Sequence, residues 1–150
     1  MSLSSYKPST CNVVKHIIDT GNHAPVTCSP EFTERTNLKC IEIAIQKMMK
    51  MDIIESSQSV RSNPLIIVPR EKSSHYVFEA DFGQLNQITK SYCYSLSSVE
   101  FITEIIAKAE FVTVLKVQAG LFHIMIDEDS RDKTTFVSHV GTYRFKKNST

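Results

Sequence analysis

The stretch FVTVLKVQAGLFHIMIDEDSRDKTTF, residues 111–136, decides how this chain is read. Val112 to Val117 is a β-branched run of the kind that forms a buried strand. Leu121 to Ile126 is a second apolar run, and it ends in the acidic cluster Asp127, Glu128, Asp129. Arg131 and Lys133 follow, before Phe136. The odd residue is Lys116, because an ammonium near the end of an apolar strand costs free energy to bury unless it is paired.

Working outward, Ser97 and Ser98 can cap a helix running to about Ala109, with Val99, Ile102, Ile105 and Ile106 as its apolar stripe. On the other side, Thr134 to His139 and Thr142 to Phe145 read as short strands joined by a turn at Gly141. Further toward the N-terminus, Tyr76 to Phe82 alternates as a strand, Arg70 to His75 is a polar hairpin loop, and Leu65 to Val68 is a short apolar strand. Residues 56–64, SSQSVRSNP, form a turn-rich loop. From Glu31 to Met51 the period is helical: Leu38, Ile41, Ala44, Ile45, Met48 and Met49 share a face, and Glu31 and Glu34 occupy the first turn, where the helix dipole favours acids. The two prolines of HAPVTCSPEF mark an extended arm, and residues 1–15 read as a loose polar segment. The pattern gives an α+β chain.

Composition narrows the classes. A chain of 150 residues with 41% apolar and 22% charged residues is globular and long enough for one core. A net charge of +1 argues against a strong nonspecific polyanion binder. No apolar run approaches the roughly 18 residues of a membrane span. MSLSSYKPST lacks the regions of a signal peptide, so an intracellular location is expected. Cys11, Cys28, Cys40 and Cys93 match no zinc or CxxC spacing and are read as free thiols in a reducing compartment. The sequon at Asn148-Ser149-Thr150 is then a chance match.

Local spacing selects no enzyme. His16, His23, His75, His123 and His139 form no metal-binding pair, and there is no GxGxxG, P-loop or GxSxG. Asp127 to Asp129 lacks the glycine and glutamate positions of an EF-hand loop and reads as a solvated turn.

Five segments taken in order change this. HIIDTGNHAPV from His16, KMMKMDIIESSQSVRSNPLIIV from Lys47, VFEADFGQLNQIT from Val77, YSLSSVE from Tyr94 and the opening stretch continued to Phe145 resemble, colinearly, the motifs of reverse transcriptases of gypsy-type LTR retrotransposons and retroviral Pol polyproteins. The resemblance covers roughly residues 16–146. It implies the fingers subdomain and first part of the palm of a right-hand polymerase fold, as a truncated domain over residues 16–150 preceded by the loose segment 1–15. The family is an RNA-directed DNA polymerase that acts on an RNA or DNA template-primer with two Mg2+ ions.

The resemblance also implies a damaged site. Lys116 stands where the family's first metal-binding Asp belongs, and a charged lysine offers no lone pair to a cation. Lys72, Val77, Ala119, Gly120 and Leu121 fall on nucleotide-pocket positions. Val77 replaces an arginine that clasps the triphosphate, and Leu121 an aromatic that screens the sugar 2′ position. Asp81, Gly83, Asn86, Arg131 and Lys133 fall on template-side or structural positions; Gly83 replaces an arginine. From the residues alone, Arg131 and Lys133 could instead pair with Asp127 or Asp129 to hold a hairpin, and Asp81 could receive a backbone amide. No Y-x-D-D occurs in the 150 residues. The expectation is a catalytically inactive, truncated fragment that binds no metal, holds template-primer weakly or not at all, and self-associates through exposed palm strands. The alternatives are an interaction module reusing the fingers surface for nucleic acid or protein, and a polymerase subunit completed by another chain.

Overall fold

A computed structural model describes residues 9–28, 35–69, 76–92, 95–117 and 120–148. Helix α1, Arg35–Lys50, turns Ile41, Ile45 and Met48 inward, spaced four and three apart on one face. Met49, expected on that face, is exposed: it lies one residue round the helix from Met48 and so points away. The helix closes on Asp52, which takes φ +58° in the left-handed region. The Ile53 N–H then reaches the Met48 carbonyl at 3.0 Å, and the Asp52 N–H that of Met49 at 3.0 Å, satisfying the last carbonyls of the helix. This sharp stop drops Ile53 and Ile54 straight into the core, where they are 0% and 2% exposed.

Strand β2, Ile54–Ser56, starts there. It lies antiparallel to a strand near the chain end, Gly141–Phe145, which also pairs with Phe136–Ser138. In chain order these last two become β7 and β6, so the sheet runs β2-β7-β6. The register puts Ile54 opposite Phe145, Glu55 opposite Arg144 and Phe136 opposite Tyr143. Phe136 and Phe145 stack at 5.3 Å between ring centres, and Phe82 meets Phe145 edge-on at 5.9 Å. These rings, with Ile126, Leu85 and the inner face of α1, make one core.

A hairpin of β3, Leu65–Pro69, and β4, Tyr76–Ala80, projects from this sheet. Its tip, the loop expected at residues 70–75, lies outside the described residues, as do Glu31 and Glu34. The strand expected to Phe82 ends at Ala80, because Asp81 turns the chain into helix α2, Gly83–Ile88, and Phe82 drops into the core. Strand β1, Cys11–His16, pairs parallel with β5, Ile124–Ile126. The segment expected to be loose over 1–15 is therefore a strand from Cys11 onward, held by its partner's backbone rather than by its own polar side chains. The run Leu121 to Ile126 divides into a 3₁₀ turn, Gly120–His123, and the short β5. Helix α4, Glu128–Arg131, and a 3₁₀ turn, Asp132–Thr134, lead into β6.

The largest departure from expectation lies just before these elements. Helix α3, Val99–Ala107, forms with Ser98 as its cap, accepting the Phe101 N–H at 3.2 Å. Its apolar stripe packs on nothing described: Val99, Ile102, Ile105 and Ile106 are all exposed. Val112 to Val117, expected as a buried strand, is exposed and irregular, with no strand partner among the described residues. A strand is held by ladder hydrogen bonds to a neighbour, and β propensity supplies none.

Candidate functional site

The positions singled out from sequence divide into two groups. The first falls along the exposed segment and the β3–β4 hairpin. Lys116 lies in the irregular stretch 111–117, open to solvent. Gly120 opens the 3₁₀ turn, and Leu121 beside it is 46% exposed. Val77 sits in β4 opposite Val68. Lys72 and Ala119 lie outside the described residues.

The second group is built into the body of the fold. The Asp81 Oδ1 accepts the Gly83 N–H at 2.7 Å, an Asx turn that starts α2. Gly83 suits this turn because a Cβ there would come within 3.0 Å of the Asp81 carboxylate. Asn86, on the exposed side of α2, borders a cleft of about 320 Å³ between α2 and the β1–β5 pair. His16, Ile18, Leu85, Thr89 and Asn148 line the same cleft.

The side chains of Arg131 and Lys133 are bound into the structure by Ile126, Glu55, Glu128 and Ile18, and not through the carboxylates of Asp127 or Asp129. Arg131 Nε donates to the Ile126 carbonyl at 3.3 Å, and its guanidinium approaches Glu55 at 3.6 Å and Glu128 at 3.9 Å. Lys133 Nζ donates to the Ile18 carbonyl. Ser130, 2% exposed, accepts the Ile18 N–H at 3.0 Å. The DSRDK turn thus clamps residue 18 from two sides and fixes the chain as it leaves β1.

Several contributors carry no motif. Glu55 is shared by Arg131 and by Arg144, which reaches it at 2.8 Å and Asp132 at 2.7 Å. The Asp132 carboxylate, helped by Glu55, holds the Arg144 guanidinium above its usual pKa against the opposing pull of burial. The Glu55–Arg144 pair follows from strand register, which a single sequence does not display. Lys90 meets Asp19 at 2.8 Å, and the Gly21 N–H donates to the same carboxylate. Asp19 is thereby held below the ordinary carboxylate value, first by Lys90 and then by Gly21, while Lys90 is raised by Asp19.

As a metal centre the described residues fit poorly. No group of three His, Cys, Asp or Glu among them is placed to share an ion, and the ammonium of Lys116 repels a cation instead of ligating it.

Comparison with other proteins gives relatives in both sequence and fold. Over 138 residues, 89% of its length, the chain is 25% identical to the retrovirus-related Pol polyprotein from transposon 297 of Drosophila melanogaster, and it is 26% identical over 97% of its length to that from transposon 412 of the same fly. Prototype foamy virus protease-reverse transcriptase superimposes on 95% of the chain with a TM-score of 0.78 at 18% identity. The chain is a homologue of retrovirus-related Pol polyproteins. Its α+β fold is that of the fingers and partial palm of such a polymerase. It spans 13% and 12% of the two fly relatives and 19% of the foamy virus chain. Foamy viral protease-reverse transcriptase in complex with an RNA/DNA hybrid has the same fold over 95% of this chain, with a TM-score of 0.73 at 16% identity. No family model matches.

Proposed function

We propose that this chain is a reverse-transcriptase segment of a retroelement Pol polyprotein that does not itself catalyse nucleotide addition. Lys116 carries the proposal. By the resemblance of the FVTVLKV stretch to the polymerase motif, it takes the place of a carboxylate that holds the divalent cations. Exchanging carboxylate for ammonium reverses the charge at the one spot where two cations must be stabilised. Two further positions point the same way. Val77 cannot form the charge-assisted bonds that an arginine makes to a triphosphate, and Leu121 in place of an aromatic changes the wall beside the sugar. The relatives' complexes with duplexes suggest template-primer as the ancestral ligand. Here the 17 basic residues are nearly balanced by 16 acidic ones, and Arg131 and Arg144 are engaged by carboxylates, which argues against strong phosphate binding. No metal is assigned to this chain.

The test is template-primed nucleotide incorporation by the purified 150-residue chain with magnesium or manganese, alongside Lys116→Asp. Neither is expected to extend a primer, because one restored carboxylate lacks the Y-x-D-D carboxylates and the triphosphate clasp. Incorporation by the unmodified chain would overturn the proposal. Incorporation by Lys116→Asp alone would identify Lys116 as the only lesion.

A second reading has its own observation. Five apolar side chains of α3 and five of residues 111–117 are each at least 46% exposed. Monomeric soluble proteins rarely leave more than a few hundred Å² of contiguous apolar surface in water. The chain on its own therefore self-associates through this region, as concentration-dependent sedimentation and binding of a dye for apolar surface will show; a sharp monomer without dye binding would refute it.

A further inference from the structure

Residues 110–117 are all exposed, and 111–117 carry no regular secondary structure and belong to no described sheet. Their order has a property that a buried strand would not need. Written outward from Thr113, EFVTVLK is self-complementary: Val112 mirrors Val114, Phe111 mirrors Leu115, and Glu110 mirrors Lys116. We propose that Glu110 to Lys116 pairs antiparallel with the same residues of a second copy, about a two-fold axis through Thr113. The proposal rests on the self-association reading above and specifies its geometry.

In this register every cross-strand pair is a favourable one. One face of the ribbon carries two Glu110–Lys116 ion pairs and two Val112–Val114 pairs. The other carries two Phe111–Leu115 pairs and a central Thr113–Thr113 pair. Aromatic–aliphatic, β-branched, Thr–Thr and opposite-charge pairs are the combinations that stabilise antiparallel ladders. Competing arrangements lose this. Sliding the axis to Val114 sets Lys116 opposite Val112 and Thr113 opposite Leu115. A parallel, in-register pairing sets Lys116 beside Lys116 and Glu110 beside Glu110. The two-fold arrangement is also the usual one for identical subunits, each presenting the same patch to the other.

A two-stranded ribbon alone is marginal in water. Helix α3 supplies the missing cover: Val99, Phe101, Ile102, Ile105 and Ile106 lead directly into the pairing segment, exposed by 46–75%. With the five apolar residues of the segment they give each copy ten exposed apolar side chains on which an interface can draw. A net charge of +1 puts little electrostatic repulsion between copies. Lys116 thereby acquires a partner, Glu110 of the other copy.

Charge reversal tests the pairing without touching the core. Each of Glu110→Lys and Lys116→Glu turns two attractive pairs into two repulsive ones by symmetry, and each is expected to raise the dimer dissociation constant about tenfold or more in sedimentation equilibrium. The doubly reversed chain, Glu110→Lys with Lys116→Glu, restores opposite charges and is expected to recover dimerisation. Register is read separately with Thr113→Cys. Directly opposed residues of an antiparallel pair lie about 4.5–5.5 Å apart at Cα, within disulfide reach, whereas Val112→Cys and Val114→Cys meet their own copies only diagonally, at about 7–8 Å. Air oxidation should cross-link the 113 variant through that position, as mass spectrometry of the linked peptide reports, well ahead of the other two. A monomer at all concentrations would refute both this pairing and self-association. A dimer indifferent to the reversals and not linked through position 113 would leave self-association standing and refute this pairing.

Discussion

Asn63 shows how much one residue can organise here. It is 3% exposed, and its amide nitrogen donates to the carbonyls of Lys133 and Thr135 at 2.9 and 2.8 Å. Its own N–H donates to Thr135 as well, at 2.8 Å, so the loop before β3 is fastened to the entry of β6. Asn63→Ala leaves two carbonyls without that donor, and the expected loss is about 1–3 kcal/mol of unfolding free energy. It is read as a lower urea midpoint at unchanged m-value. Asp19 and Lys90 offer a contrasting residue-scale test. Asp19 is held below its unfolded value of 3.8, so its share of stability is present above that pH and disappears as pH falls through the lower folded value. Lys90 is raised above 10.5, so its share is present below 10.5 and is lost as pH rises through the higher folded value. Both groups are open to solvent, and the effect is correspondingly small and screened by salt. In Lys90→Met the Asp19 carboxyl should titrate at higher pH than in the parent, and an unchanged NMR titration midpoint would refute the pairing.

Elements were legible where local pattern and packing agree. The spacing of Ile41, Ile45 and Met48 reports α1 because that face meets the core, and Ser98 reports the start of α3 because a cap acts within one turn. The turn at Gly141, φ +141°, joins β6 to β7 where expected. Pattern misled at residues 111–117, since apolar alternation shows what a strand would bury but names no partner for its backbone. It read β1 as part of a loose polar segment, because the pairing with β5 spans more than a hundred residues. The same limit applies to the site. The Asx turn at Asp81 is local and could be anticipated, whereas Glu55 meeting Arg144 and Lys133 meeting Ile18 require the finished fold. The cap supplies a prediction that separates helix stability from global stability. Ser98→Ala should cost α3 about 0.5–2 kcal/mol, seen as faster amide exchange across residues 101–107. It should leave the global unfolding midpoint of the monomeric chain where it was, because no residue of α3 is buried. A lowered global midpoint would mean that α3 is packed on the body.

At the scale of the whole molecule, stability is concentrated in one part of the chain. The buried apolar residues come from Ile18, from 41–54, from Phe82 and Leu85, and from 122–145, and Val99 to Val117 contributes none of them. Side chains of the same type should therefore differ sharply in what they are worth. Phe136 is 0% exposed, opposite Tyr143 and stacked on Phe145, so Phe136→Ala removes a ring from a close-packed site and is expected to cost about 3–5 kcal/mol. Phe111 is 87% exposed, and Phe111→Ala should fall within about ±0.5 kcal/mol, as exposed substitutions usually do. The comparison must be made at concentrations where the chain is monomeric, because any association through residues 110–116 adds a concentration-dependent term to apparent stability. Under those conditions chemical denaturation should show the Phe136→Ala midpoint far below that of the parent and the Phe111→Ala midpoint superimposed on it. As concentration rises into the range where copies associate, the Phe111 variant should begin to lag the parent, because only the parent gains the buried ring. Equal losses from the two variants in the monomer would show that residues 111–117 pack within the chain itself, and the separation of a folded body from an unpartnered apolar arm would be wrong.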